Sequence, residues 1–312
     1  TGATGFVGSN LAEVLSDRGH EVLGLVRRQP DKALPWAHAL VDFSSVTTLE
    51  AALAGVDAVV HCAISNDFHA LLHDRPRAYD AYVGMTNRVA RAANAANAHL
   101  VYISTDWTMD GREHLVKETD CGNPVNIYGF LKAMGEQVVR DLCPNNGAIA
   151  RIGGVMGAHR LQEAGPRTQD VGFGYFVVSL VHTLQRGERF SVWGGPFVNE
   201  VATPSLASEI GAQVERIILR KAPGTFHLVG DDAVERMELA RVVCDVFELN
   251  PNLLATIDVP EDQRFPQAVP VDSSLDNAYT KLALGLGPTP LRGLLAAFRQ
   301  ELESGRLHPL TV

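Results

Sequence analysis

The chain reads as a doubly wound α/β fold, a parallel sheet with helices on both faces, followed by a smaller α+β region. Three observations lead there. Short apolar runs alternate with helix-like stretches through residue 153. A glycine-rich loop, Thr1-Gly2-Ala3-Thr4-Gly5-Phe6-Val7-Gly8, runs directly into an amphipathic stretch. Beyond Gly153 the texture changes, with Gly and Pro punctuating the chain at Gly153-Gly154, Gly165-Pro166 and Gly194-Gly195-Pro196.

The pattern predicts a first helix over Ser9–Arg18 and a strand over Glu21–Val26. Further strands are predicted at Ala37–Val41, Ala58–Cys62, Leu100–Ser104 and Ala148–Ile152. Helices at Val46–Ala54, Tyr79–Ala98 and Ile127–Asp141 lie between them. Strands separated by helices pair in parallel, because each crossover returns the chain to the same end of the sheet. The Ala-rich stretch 90–98 suits close helix packing. A fold of this kind feeds its glycine loop from a strand, so a strand of about five or six residues is expected ahead of Thr1. Residues 1–153 are thus expected to form the sheet domain and 154–312 a smaller, mainly ligand-facing region. In the latter, helices are predicted at Gly174–Arg186, Ser205–Arg220, Arg236–Glu248 and Pro290–Ser304. Short strands are predicted at Phe190–Trp193 and Thr225–Val229, with some segments returning to the main sheet.

The composition sets bounds on partners. The 312 residues carry a net charge of −9, and no Lys/Arg run stands out, which disfavours nucleic acid and anionic membranes. Cys62, Cys121, Cys143 and Cys244 are widely spaced and form no CxxC pair. That argues against a zinc site or a disulfide framework and favours a reducing, cytoplasmic compartment. No apolar run approaches membrane-spanning length, and no signal peptide is visible.

Gly2, Gly5 and Gly8 form a GxxGxxG triplet. The first permits a tight turn, the second lets the backbone approach a pyrophosphate, and the third allows close helix packing. The helix start then offers free N–H groups and a positive dipole end. This is the phosphate loop of a Rossmann fold, and Thr4, Phe6 and Val7 complete it as dinucleotide contacts. The second strand ends in Arg27-Arg28 where an acidic residue would hold the ribose hydroxyls of NAD. Either these arginines pair with the 2′-phosphate of NADP or they are a solvated loop pair. NADP(H) is favoured, and NAD(H) stays open. Asp42, with Phe43 beside it, is placed for the adenine amine. Cys62, Ala63 and Ile64 follow the next strand and pass beneath the adenosine and pyrophosphate.

Tyr128 and Lys132 stand at i, i+4 near the start of a predicted helix, which puts phenol and ammonium on one face. A cation beside a phenol favours phenolate and is expected to lower the Tyr128 pKa toward neutrality. The preceding strand ends Ser104-Thr105-Asp106-Trp107. Hydroxyls at the carboxyl end of a parallel strand lie where open α/β sheets bind ligands.

At these residues the chain resembles the extended short-chain dehydrogenase/reductase superfamily. Within it, the chain is most similar to the dTDP-4-dehydrorhamnose reductase group. Ser104-Thr105-Asp106-Trp107-Thr108-Met109-Asp110-Gly111 is similar to that group's STDxxFDG run. Asn123-Pro124-Val125-Asn126-Ile127-Tyr128-Gly129, Lys132 and Gly135-Glu136 are similar to its NPxNxYGxxKxxGE run. Arg151 and Ser273-Ser274-Leu275-Asp276 also fit. The resemblance implies reduction of the 4-keto group of a nucleotide-linked deoxysugar by NADPH or NADH. It implies Tyr128 as acid/base, Lys132 on the nicotinamide ribose, Thr105 on the substrate carbonyl with Asp106 also at the substrate, and Ser104 near the nicotinamide. It also implies a homodimer through the Tyr79–Ala98 and Ile127–Asp141 helices. The chain departs from the group at Gly5-Phe6-Val7-Gly8, at Trp107-Thr108, and at Tyr82, where many relatives carry Asn.

Other residues are candidates for a role. His61, His69 and His73 are close in sequence, but no matching Cys or carboxylate set accompanies them as a metal site requires. Trp193, Phe197 and Asn199 are candidates for substrate contact or plain packing. Arg160 and Arg167 are candidates for a substrate diphosphate or surface solvation. Three functions remain open on the residues: a reductase of a nucleotide-linked keto sugar, an epimerase or dehydratase that retains its cofactor, and a non-catalytic NAD(P)-binding regulatory subunit.

Overall fold

A computed structural model describes residues 1–65, 68–162 and 169–311. After the glycine loop come α1 (Phe6–Asp17), β1 (Leu23–Val26), β2 (Ala37–Leu40), α2 (Val46–Ala52) and β3 (Ala58–His61). Next are α3 (Phe68–His73), α4 (Arg75–Tyr79), a π-helical turn (Asp80–Gly84), α5 (Met85–Ala95) and β4 (His99–Thr105). A 3₁₀ turn (Asp106–Thr108), α6 (Ile127–Leu142) and β5 (Gly147–Ile152) complete the first half. The second half holds β6 (Val155–Met156), α7 (Phe176–Gln185), β7 (Phe190–Gly194), β8 (Val201–Ala202), β9 (Ser205–Leu206) and α8 (Ala207–Arg220). It continues through β10 (Gly224–His227), β11 (Val234–Glu235), α9 (Arg236–Val246), β12 (Leu254–Asp258), α10 (Ala278–Leu284) and α11 (Leu291–Ser304).

The main sheet is parallel throughout, in the order β10-β5-β4-β3. β1 and β2 form a second parallel pair, with Leu23 opposite Ala37. The segment Thr1–Ala3 lies between the two pieces. The Thr1 amine donates to Val60 O at 2.7 Å, and Cys62 N–H donates to Thr1 O at 3.2 Å. On its other side, Ala3 Cβ is 3.3 Å from where a Cβ on Gly24 would stand.

Every residue of β4 is buried, and its alternation sorts the two helical layers. Leu100 and Tyr102 pack with Val89, Ala90 and Val139 of α5 and α6. Val101 and Ile103 pack with Leu11 of α1 and with Ile210, Val214 and Ile217 of α8. The chain therefore crosses back from the second half, with α8 against α1 and β10 pairing β5 from Gly224 opposite Ala148. Gly211 permits that approach, since a Cβ there would fall 2.9 Å from Val14 Cβ. A separate core of Phe176, Leu180, Leu206, Leu239, Leu294 and Phe298 fills the C-terminal half, where β12 pairs with β7 in parallel.

Several predicted elements differ in extent, and the first helix, expected from Ser9, already starts at Phe6. The strand over 21–26 begins only at Leu23. The helix over 79–98 starts earlier, at Arg75, and is interrupted. Pro76 suits the first turn of α4, which Asp74 caps by accepting from Arg77 N–H at 3.2 Å. A π turn then widens the helix at Tyr82 before α5 resumes. Among the described residues, no helix is long and apolar enough to cross a membrane.

Candidate active site

The glycine loop folds tightly against β3 and α1. Gly2 sits at φ +72°, and a Cβ there would lie 2.7 Å from Ala63 N. A Cβ on Gly8 would lie 2.1 Å from Gly2 O, closer than any side chain tolerates. Gly5 N–H closes the turn on Gly2 O at 3.0 Å. Gly5 is also the N-cap of α1, with no side-chain cap and no acidic residue in the first turn. The first N–H groups of α1 thus stay open to an anion, at the positive end of the helix. Thr4 and Gly5 are exposed on the crest, while Val7 packs inward. The Phe6 ring leans on Tyr175, with centroids 5.4 Å apart.

Arg27 and Arg28 are exposed after β1, and neither is ion-paired among the described residues. The exposed Asp42 accepts from Ser44 N–H at 2.9 Å and Ser44 Oγ at 2.7 Å. Those hydrogen bonds hold its carboxyl below the usual range. Loop, arginines and carboxylate line the ends of adjacent strands, an arrangement that fits a dinucleotide with a phosphorylated ribose. Cys62 and Ala63 are stitched to Thr1 through their N–H groups. Ile64 leans on the cluster of Leu71, Tyr82 and Ile127. Phe43 differs from expectation: its ring is core, and its carbonyl takes Arg88 Nε–H at 2.6 Å, so only its backbone borders the site.

At the end of β4 the structure brings Thr105 and Tyr128 together, with Lys132 buried one helical turn further along α6. Asn126 caps α6, accepting from Gly129 N–H at 2.9 Å and donating to Ala268 O at 3.0 Å. Gly129 lets this turn press on the 3₁₀ turn, since a Cβ there would be 2.0 Å from Trp107 O. The Tyr128 and Thr105 hydroxyls are thereby hydrogen-bonded. The Tyr128 ring meets Tyr82 and Trp107 edge-on, with centroids 6.2 and 6.0 Å away. Tyr82 is fixed in turn by donating to Ser65 O at 2.7 Å.

Electrostatics here depart from the expected phenolate. Burial pushes Tyr128 up to about 12, against the opposing Thr105 hydrogen bond. Burial also pulls Lys132 down to about 8. The Lys132 amine donates to Ile103 O and stands 4.6 Å from the Tyr102 ring centroid. Helical spacing puts the two residues on one face, yet the phenol answers to burial, Thr105 and Asp106 and not to the Lys132 cation.

Other predicted residues are engaged elsewhere. Ser104 points to the α6 face and donates to Glu136 Oε1 at 2.6 Å. Glu136 holds both arms of the Arg151 guanidinium at 2.9 Å and Arg140 at 2.9 Å. Asp106 is 5 % exposed, and its carboxyl is hydrogen-bonded to Thr105 and Ser273. Arg160 is bidentate on Glu13, at 2.8 and 2.6 Å, which occupies it structurally. Arg167 and the side chain of His69 lie outside the described residues. His61 is buried between the hydroxyls of Thr1 and Thr86. Trp193 is core, and Phe197 is exposed beneath the Arg264 guanidinium at 4.3 Å. Asn199 is buried and bonded to backbone. Sequence reasoning gave no role to Ser273 and no joint role to Asn199 and Asp106. Only the motif-like SSLD stretch hinted at the first.

Comparison with known proteins adds four findings. The profile of the RmlD substrate binding domain family matches residues 1–304. The chain is 28% identical to a probable low-salt glycan biosynthesis reductase of Haloferax volcanii over 95% of both chains. It is 27% identical to methionine adenosyltransferase 2 subunit beta of Bos taurus over 64% of this chain and 57% of that one. Its fold superposes on a dTDP-4-dehydrorhamnose reductase from Bacillus anthracis in complex with NADP. There the TM-score is 0.74 at 21% identity, covering 96% of this chain and 97% of that one.

Proposed function

The chain belongs to the RmlD substrate binding domain family, and from that premise we propose that it is an NAD(P)-dependent oxidoreductase reducing a keto group of a nucleotide-linked sugar. One observation carries the reading: a Tyr128 phenol hydrogen-bonded to Thr105 at the carboxyl end of β4, one helical turn from a buried lysine, in a fold whose first helix opens bare toward an anion.

The nicotinamide cofactor supplies the hydride when bound. Gly2, Gly5 and Gly8 let the backbone approach its diphosphate, and the α1 N-terminus neutralises charge there. Arg27 and Arg28 favour NADP(H), with Asp42 at the adenine and NAD(H) as the weaker ligand. Thr105 holds the substrate carbonyl. Tyr128 gives its proton to the oxygen as that oxygen becomes an alkoxide, and a phenol kept protonated by burial arrives loaded for this direction. Lys132 compensates the resulting tyrosinate. Relatives support the class, since the Haloferax protein is a probable reductase of low-salt glycan biosynthesis.

The test is NADPH oxidation with a panel of nucleotide-linked 4-keto sugars and small carbonyl compounds, for wild type and Tyr128→Phe. Consumption with a nucleotide sugar, lost in the variant, is the expected outcome. The likeness to the bovine adenosyltransferase subunit favours a second reading, a cofactor-binding regulatory chain. Tight NADPH binding with no turnover on any substrate would select it. Cofactor retained without net oxidation while the sugar is isomerised or dehydrated would select an epimerase or dehydratase.

A further inference from the structure

We infer that Asp106 is a buried, neutral carboxylic acid, locked in that form by Ser273 and Asn199, and that it acts as a positioning residue for the Thr105–Tyr128 pair. The protons along this chain can be counted. The Asn199 amide is fixed: its Nδ2 donates to the carbonyls of Val201, Pro270 and Val271, each at 3.0 Å. Its Oδ1 therefore faces Ser273 Oγ, 3.0 Å away, as an acceptor. The same Ser273 Oγ is 2.6 Å from Asp106 Oδ2. A serine hydroxyl has one proton and cannot donate to both. With Asp106 ionised, one of these fully buried contacts would set lone pair against lone pair, which costs as much as an unmade hydrogen bond. With Oδ2 protonated the chain closes: Asp106 donates to Ser273, and Ser273 donates to Asn199. Oδ1 then remains the acceptor for the Thr105 hydroxyl at 2.9 Å.

Burial raises the Asp106 carboxyl to about 6 against hydrogen bonds from Ser273, Thr105 and the backbone N–H groups of Asp106 and Trp107. Once Ser273 turns its proton to Asn199, that support for the charged form is gone and the carboxyl rises further. The charged and titratable neighbours leave this assignment standing. On α6, Tyr128 couples directly to Asp106, and Lys132 is held by Ile103 O. On β5, Arg151 is held by Glu136. Arg236 of α9 sits behind Asn199, bonded to its carbonyl at 2.7 Å. Asp272, beside Ser273, is taken by His114 at 2.8 Å and by Ser274 N–H at 2.9 Å.

The functional consequence rests on the proposed reductase reading. A neutral Asp106 accepts the Thr105 hydroxyl more weakly than a carboxylate would, so that the hydroxyl's one proton can turn to a substrate carbonyl. It also places no anion beside the phenol, whose charge would oppose formation of tyrosinate.

The decisive experiment does not depend on turnover. Asp106→Asn reproduces the neutral acid, with Nδ2 donating to Ser273 and Oδ1 accepting from Thr105. A carboxyl protonated when folded but ionising at its ordinary value when unfolded contributes stability that is full at acid pH. That stability is lost as pH rises through the folded value. Asp106→Asn should therefore melt higher than wild type near pH ~8, with the gap closing toward pH ~4. A ¹³C titration of the side-chain carboxyls, with the variant assigning the signal, should show Asp106 titrating well above ordinary aspartates. Sequential backbone assignment identifies that signal if the variant misfolds, and an Asp106 signal at the ordinary aspartate value overturns the inference. So does a wild type that gains on Asp106→Asn with rising pH. In turnover, wild type should lose rate as pH rises through this titration, and Asp106→Asn should lack that limb. An elevated titration with no turnover on any nucleotide sugar would sustain the neutral acid and sink the reductase reading instead.

Discussion

Lys132 is 3 % exposed and holds Ile103 O, while Tyr128 is held by Thr105 and by the edges of two rings. Each has its neutral form favoured by burial, and a charge formed on one is what would stabilise the other. Replacing Tyr128 with Phe should therefore lower the rate by about 10²- to 10⁴-fold, as for other lost general acids. Cofactor affinity, read by NADPH fluorescence titration, should stay within a few-fold of wild type. The pair was legible because i, i+4 spacing fixes which side chains share a helical face. The direction of the phenol's shift was not legible, because spacing says nothing about water exclusion. Ser104 shows the same limit from the strand side. Its neighbour Thr105 reaches the site, so strand alternation sends Ser104 to the opposite layer and into Glu136.

At the level of elements, two close approaches decide where the site forms. Gly8→Ala would drive a methyl into Gly2 O, so the loop and the helix start must part. Overpacking of this kind costs about 1–3 kcal/mol, and NADPH affinity should fall at least about tenfold for each 1.4 kcal/mol taken from the loop. Titration calorimetry reads that loss. Glu136 ties α6 to β5 through Arg151. Burial pushes its carboxyl up, but the Arg151 hydrogen bonds and charge, with Ser104, outweigh this and hold it below its ordinary value. Its contribution to stability is thus present above the ordinary glutamate value and lost as pH falls through the depressed one. Glu136→Ala leaves Arg151 buried and uncompensated, and should cost about 3–5 kcal/mol in urea unfolding. The helices and strands of the sheet were legible from period and punctuation. The π turn at Tyr82 was not, because apolar periodicity continues through a single widened turn.

Across the whole molecule, the strand ends gather the glycine loop, the arginines and the Tyr–Lys helix along one border of the sheet. Arg27→Ala together with Arg28→Ala should weaken NADPH by about tenfold or more while sparing NADH, given that charge-assisted bonds are worth about 1.5–3 kcal/mol. The ratio of kcat/KM for the two cofactors reads this directly. These residues were legible because a phosphate site recruits neighbours in sequence. The Asp106–Ser273–Asn199 chain was not, for its members stand 167 and 74 residues apart and meet only because the C-terminal segment runs back over the 3₁₀ turn. That return also has a bearing on any attempt to dissect the protein. β10 seals the flank of β5, and α8 roofs the apolar side of α1. A fragment ending at Gly153 would bare an unsatisfied backbone margin and an oily groove together. Such a fragment should clump on release from the ribosome, and the two halves of the gene should yield folded material only when expressed as one piece.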